Sequence, residues 1–387
     1  MKCWHEAVEA VEVVRARKER LLRGLLASES QGVQSALLHV LGGARVQPDE
    51  GEVLLEEASL GVLALASTWV RLGRNGQKAF YNRNRHIEPT NVCCYKCRFC
   101  SYRREEGDEG SWCLSIEEIG SQAKAAADGG VTEIHVTGGA YPGWGVAELE
   151  EIVREVRRNA PEVHIKAFSA VELIAAFQRD GVSYSAGLER LRAAGLNSIP
   201  GGGAEIFSER VRREVCPEKC SGAEWLALHR AWHELGGRSN ATMLFGHVES
   251  RQERIDHLDR LRKLQDETHG FNSFIPLKYR ALGNEMSSRG EVPLVEVLRT
   301  YAVSALYLDN FPHIKAYWPM LGKENMELSL SFGADDMDGT IDDSTRIYSM
   351  AGAEEQQPKA SVQEFRELVL RAGYEAVERD SEYVEVM

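Results

Sequence analysis

Apolar residues recur at spacings of three and four through residues 8–26 and again through 53–72, with charged residues interleaved. The first 80 residues therefore read as helices packed on a main body, and they carry no catalytic signature. From Arg85 onward short apolar runs alternate with longer amphipathic ones, the sequence form of repeated strand–helix units. The candidate strands are residues 86–91, 133–137, 163–168, 197–200, 240–245, 271–277, 313–317 and 327–331. Eight strands separated by helical stretches predict an α/β fold, a (β/α)8 TIM-type barrel with an N-terminal helical extension. Ser115-Ile116-Glu117-Glu118 reads as a capping box ahead of an Ala-rich helix that Gly129-Gly130 ends. Residues 224–235 and 252–265 are amphipathic, as helices of an outer ring should be. The expected organisation is a helical segment over 1–80, the barrel over 81–352, and a last helix with a short acidic tail over 353–387.

Composition narrows the class. Of 387 residues, 43% are apolar and 27% charged, as in a soluble globular protein. The charge of 46 minus 59, or -13, argues against a general binder of nucleic acid or of anionic membranes, so an anionic substrate has to be met by local cations. No run approaches a membrane span, and the start, Met1-Lys2-Cys3-Trp4-His5-Glu6, lacks a signal-peptide core. Four of the eight cysteines crowd into one loop, which points to reduced thiols and the cytoplasm rather than to a disulfide framework.

That loop, Cys93-Cys94-Tyr95-Lys96-Cys97-Arg98-Phe99-Cys100, places three thiols at C-x3-C-x2-C spacing. Three soft ligands so close together suit an iron-sulfur cube, and with no fourth thiol nearby one iron stays open. A zinc knuckle would need a fourth Cys or His at a second paired spacing, and none follows. Cys94 abuts Cys93 and reads as a packing residue; Cys113, beyond an acidic hairpin-like segment, reads as a buried thiol and not a ligand. The loop resembles that of the radical S-adenosylmethionine (SAM) enzymes. The resemblance implies a [4Fe-4S] cluster on Cys93, Cys97 and Cys100, with SAM chelating the open iron, and Phe99 at the family's aromatic position. Gly138-Gly139, after the second strand, opens on the same face and resembles the glycine pair that lies against the methionine amino group; Ala140 replaces an acidic residue often found next.

Longer segments carry a closer resemblance. Lys166-Ala167-Phe168-Ser169-Ala170-Val171-Glu172, Ser198-Ile199-Pro200-Gly201-Gly202-Gly203-Ala204-Glu205-Ile206-Phe207, Cys216-Pro217-Glu218-Lys219-Cys220 and Arg238-Ser239-Asn240-Ala241-Thr242-Met243 resemble the aminofutalosine (aminodeoxyfutalosine) synthases of menaquinone biosynthesis. Residues 313–318 and 331–340 extend the match. The family's activity implies that the 5'-deoxyadenosyl radical from SAM, consumed as a substrate, adds to 3-[(1-carboxyvinyl)oxy]benzoate to give 6-amino-6-deoxyfutalosine. A related hydrogen-abstracting enzyme, of the dehypoxanthine futalosine cyclase or deazaflavin-cofactor synthase type, is the alternative. An external electron donor such as flavodoxin or ferredoxin is implied as partner.

The resemblance implies a SAM contact for Ser169 and Glu172, and a helix cap explains the same two residues equally well. Glu205 is either a polar group of the pocket or an exposed first-turn acid. A substrate with two carboxylates calls for cations, and Arg85, His86, Lys166, Lys278, His313 and Lys315 fall on or beside candidate strands, facing in or out according to a pleat the sequence leaves open. Cys216 and Cys220 form a lone C-x3-C and are not expected to bind metal. His229 and His233, four apart among Trp225, Leu228 and Trp232, read as a packed or exposed helix surface, and Asp335-Asp336-Met337-Asp338-Gly339 as a barrel-end loop rather than a calcium site.

Overall fold

The structure, a computed structural model, describes residues 2–339, 346–353 and 358–386, with side chains from residue 11. Met1, Thr340 at the end of the last resemblance segment, and Glu354, where the C-terminal helical segment is expected to start, lie outside the described residues.

Four helices open the chain: α1 (Lys2–Leu26), α2 (Gln31–Leu41), α3 (Pro48–Glu56) and α4 (Leu60–Asn75). Then come β1 (Lys78–Tyr81), β2 (Asn84–Ile87), α5 (Ile116–Asp128), β3 (Glu133–Val136), α6 (Val146–Asn159), β4 (His164–Ala167), α7 (Ala170–Asp180), α8 (Tyr184–Ala194) and β5 (Ser198–Ile199). The second half runs α9 (Glu209–Val215), α10 (Gly222–Glu234), β6 (Arg238–Phe245), α11 (Arg251–Thr268), β7 (Phe271–Lys278), α12 (Leu294–Tyr307), β8 (His313–Ile314), α13 (Trp318–Leu321), α14 (Lys323–Ser329), α15 (Val362–Arg371) and β9 (Glu375–Glu378). The capping box forms: Ser115 Oγ accepts from Glu118 N at 3.2 Å, and the Glu118 carboxylate accepts from Ser115 N at 2.7 Å. The N-terminal helices pack outside the barrel, α4 on α12 and α3 on α11. Gly51 permits that approach, because a Cβ there would lie 2.9 Å from Ile255 Cδ1. Among the described residues no helix is long and apolar enough to cross a membrane.

Strands β2 to β8 form one parallel sheet in chain order. The predicted eighth strand, residues 327–331, is not a strand. Glu327 lies in α14, which runs into a 3-10 turn over Leu330–Phe332. Met326 and Leu330, four apart, are buried while Leu328 between them is 41% exposed, so the period is helical. The barrel closes instead through the extended stretch 335–338. Asp335 N donates to Ile314 O (3.0 Å) and Ala316 N to Asp336 O (2.7 Å) on the β8 side; Phe80 N donates to Asp335 O (2.8 Å), Met337 N to Phe80 O (2.9 Å) and Asn82 N to Asp338 O (3.0 Å) on the β1 side. The supposed barrel-end loop is thus the eighth stave of the TIM-type barrel. The acidic tail is also more ordered than its composition suggests, since β9 pairs in parallel with β1.

Pleat parity sorts the strands. Ile134, Val136, Ile165, Ala167, Ala241 and Met243 are buried under the helices. Register places Asn84 beside Glu133, and His86 beside His135 and Lys166, on the opposite, inner side. Most small barrels fill their interior with branched apolar side chains. This one leaves a cavity inside, into which charged side chains such as Glu133, Lys166 and Lys315 project among apolar ones.

Candidate active site

The cysteine loop leaves β2 and is clamped on three sides. Cys94 N donates to Ala140 O (2.9 Å), Cys93 N to Arg104 O (3.2 Å), and Arg98 N to Val215 O (2.9 Å). Cys93, Cys97 and Cys100 are free thiols, half-buried, and all three line one cavity of about 310 Å³ together with Phe99. Burial pushes the Cys93 and Cys97 thiols up, an environment in which a thiolate needs metal charge to offset desolvation. Among the described residues no group of three His, Cys, Asp or Glu side chains converges on a single ion. Cys94 and Cys113 are both exposed, so neither is the packed thiol expected. Cys216 and Cys220 are buried in the turn that supports the loop.

The glycine pair has a steric reason that the sequence did not disclose. A Cβ on Gly138 would lie 2.4 Å from Thr90 O, and one on Gly139 2.2 Å from Val92 O. Both glycines also line the cavity, but it is the backbone of the cysteine loop that excludes a side chain. At the end of β4, Phe168 adopts a left-handed φ of 57°. Ser169 then caps α7 in a reciprocal box with Glu172, so the cap is real, and both residues line the cavity as well. Glu172 Oε2 accepts from Ser169 N (2.7 Å), Ser169 Oγ (2.6 Å) and Thr137 Oγ1 (3.0 Å), and Oε1 from Gly138 N (3.1 Å). Only Oε1 keeps a lone pair for a ligand. Burial raises the Glu172 carboxyl to about 7 against those four donors.

The cations divide. His86, Lys166, Lys278 and Lys315 line the cavity, as does Glu205. Each lysine has a carboxylate: Lys166 with Glu133 at 2.6 Å, Lys315 with Asp338 at 3.1 Å, Lys278 with Glu291 at 2.6 Å. Burial opposes ionisation of Glu133, yet Lys166, Lys315 and His164 hold it well below the usual carboxylate range. Arg85 and His313 are not among the residues lining the cavity. Arg85 is one pleat out of phase with His86, and His313 lies at the start of β8, its Nδ1 2.8 Å from Asp335 and its ring stacked on Tyr383. His229 and His233 are core residues, both hydrogen-bonded to Ser239 Oγ.

Sequence reasoning missed Glu133, His135, Lys219, Arg280 and Tyr348, all in the cavity wall. His135 Nδ1 lies 3.0 Å from His86 Nε2. Lys219 Nζ reaches Glu205 at 2.5 Å and stands 5.5 Å from the Phe99 ring centre, beneath the cysteine loop. Its place between Cys216 and Cys220 was the one available signal. Glu205 takes a left-handed φ of 48° to make that pair.

Residues 87–261 match the radical SAM superfamily, and residues 268–386 match the CofH/MqnC C-terminal region. The chain is 41% identical over 351 residues to aminodeoxyfutalosine synthase of Thermus thermophilus, covering 90% of this chain and 94% of that protein. It is 34% identical to cyclic dehypoxanthine futalosine synthase of Streptomyces coelicolor, covering 92% and 89%. Among solved structures, methylornithine synthase aligns with a TM-score of 0.70 at 18% identity, covering 88% of this chain and 97% of that one, and speaks for the fold alone.

Proposed function

The chain belongs to the radical SAM superfamily and, within it, to the aminodeoxyfutalosine synthases, and from that premise we propose which of its residues carry the reaction. Cys93, Cys97 and Cys100 would hold a [4Fe-4S] cluster, and with three protein ligands it would leave a position for SAM. Phe99, Gly138, Gly139, Ser169 and Glu172 form the wall against which SAM lies. When bound, the cluster supplies one electron to the sulfonium, giving methionine and the 5'-deoxyadenosyl radical. That radical adds to the enol-ether double bond of 3-[(1-carboxyvinyl)oxy]benzoate, and the adduct rearranges onto the aryl ring. Its carboxylate leaves as CO2, giving back the electron that began the cycle, or as bicarbonate and a proton once that CO2 takes up a water, and 6-amino-6-deoxyfutalosine remains.

The protein's part is to bind, orient and enclose. The observation that carries the reading is one cavity holding three free thiols together with the cations Lys166, Lys219, Lys278, Arg280, Lys315 and Arg103 against the carboxylates Glu133, Glu172, Glu205 and Asp338. Tyr317 and Tyr348, with ring centres 5.2 Å apart, offer an apolar face to the substrate's ring. A primary carbon radical reacts with what it first meets, so enclosure within the barrel restricts its partners. An external electron donor such as flavodoxin or ferredoxin primes the cluster, in a cytoplasm that keeps the thiols reduced.

The test is anaerobic reconstitution with iron and sulfide, followed by SAM, a reductant and the enol-ether benzoate. Adenine incorporated into the aryl product, read by mass, is the expected result. Stoichiometric free 5'-deoxyadenosine with an unadenosylated product would instead assign the hydrogen-abstracting chemistry of the related cyclase.

A further inference from the structure

The residues after β9 form the floor of the barrel. Arg379 and Ser381 are buried, and Tyr383 stacks on His313 with ring centres 3.7 Å apart. Two chains of polar contacts run up from this tail to the cavity. In the first, Ser381 Oγ donates to Glu133 Oε2 at 2.6 Å, and the same oxygen accepts from Lys166 Nζ at 2.6 Å. In the second, Arg379 Nε donates to Asp336 Oδ2 at 2.5 Å, Asp336 Oδ1 accepts from Asp338 N at 2.7 Å, and Asp338 Oδ1 accepts from Lys315 Nζ at 3.1 Å. Asp338 holds a left-handed φ of 63° within this second chain. Both chains end on lysines of the cavity wall.

A lysine ammonium on a four-carbon stem is a poorly defined point charge unless its partner is itself fixed. Glu133 alone would leave Lys166 a mobile partner; with Ser381 on the same oxygen the carboxylate has one orientation. Fixing charge before the ligand arrives lowers the ordering cost of binding. In the proposed function the carbon–carbon bond forms beside the cysteine loop and the glycine pair, which puts the vinyl end of the substrate there. The ring carboxylate, at the other end, faces the floor.

We propose that Ser381 and Arg379 are positioning residues which, through Glu133 and Asp336, set Lys166 and Lys315 at the spacing that receives the ring carboxylate of the substrate. The C-terminal tail is therefore part of the substrate site without touching the substrate. This inference rests on the proposed function for the identity of the anion.

The test is steady-state kinetics of Ser381→Ala, which removes one oxygen, on the holoenzyme. KM for the enol-ether benzoate should rise by about fivefold to tenfold, the effect of loosening one charge-assisted hydrogen bond, with kcat within about twofold. SAM affinity and the cluster spectrum should not change. With 2-phenoxyprop-2-enoate, which lacks the ring carboxylate, KM should be the same for both proteins. In a Glu133→Gln background the Ser381 change should add nothing, because its route is already cut. An unchanged KM, or an equal rise for both compounds, or full additivity with Glu133→Gln, overturns the inference while wild-type turnover leaves the function standing. A wild type that adenosylates no enol ether overturns the function and this inference together.

Discussion

The mouth and the floor of the barrel are assembled in opposite ways. At the mouth the three thiols come from eight consecutive residues, and the glycine pair beside them is needed because a Cβ at either position would lie 2.2 to 2.4 Å from a backbone carbonyl. At the floor, Glu133 on β3, Lys166 on β4, Lys315 beyond β8, Asp336 and Asp338 on the eighth stave, and Arg379 and Ser381 in the tail meet across as many as 248 residues of sequence. In the proposed function the mouth holds the cluster and the sulfonium, and the paired charges of the floor receive an anion. A local device tolerates no substitution, whereas a distributed one loses function in steps.

The largest effects should therefore lie at the mouth. Replacing Cys93, Cys97 or Cys100 by Ala should bring turnover to background and iron content close to zero after reconstitution. Gly139→Ala comes next: its Cβ would strike the Val92 carbonyl, which is backbone and has nowhere to go, so cluster occupancy and turnover should fall by about tenfold or more. If Gly139→Ala loads a full cluster, the glycine serves the ligand and not the loop, and the contrast with the floor loses its steric basis.

The same contrast explains what the sequence disclosed. Ligand spacing is local, so Cys93, Cys97 and Cys100 were readable as a set, and Ser115 to Glu118 announced its own cap. Facing was not readable, because a strand's inner side is set by its neighbour's register; Lys166 and Lys315 turned inward while Arg85 turned out and His313 fell below the cavity. The eighth stave was misplaced because Asp335-Asp336-Met337-Asp338 is too acidic to resemble a strand, and its carboxylates become acceptable only when Arg379, Lys315 and Asn84 close on them. Glu327 to Ser331 alternates like a strand and is helical because Met326 and Leu330 share the buried face. Nothing in the tail's composition marked Ser381.

At the floor, Lys166→Met should raise KM for the enol-ether benzoate by about 30-fold or more while SAM still binds. It also strands Glu133 in a buried site, costing about 3–5 kcal/mol of stability. The double variant Lys166→Met, Glu133→Gln should regain most of that stability, measured by denaturant unfolding, and none of the affinity. Recovery of both would mean that Lys166 holds the fold and not the substrate.

The smallest effect separates the two ends by sign. At the mouth, burial raises the Glu172 carboxyl from 4.5 to about 7, so between those values the folded protein without ligands holds a proton that the unfolded chain releases. Stability from this group is complete below pH 4.5 and declines as pH rises toward 7. At the floor, burial opposes ionisation of Asp336, but Arg379 and Lys315 bring it down from 3.8 to about 2, so its contribution is complete above pH 3.8 and is lost as pH falls toward 2. Denaturant unfolding of the cluster-free protein across pH 4.5 to 7 should show Glu172→Gln removing the downward slope of the wild type and leaving the acid limb untouched. An unchanged slope would place the Glu172 proton elsewhere, because the four donors around that carboxylate would then outweigh its burial, and the mouth and the floor would stabilise their carboxylates alike.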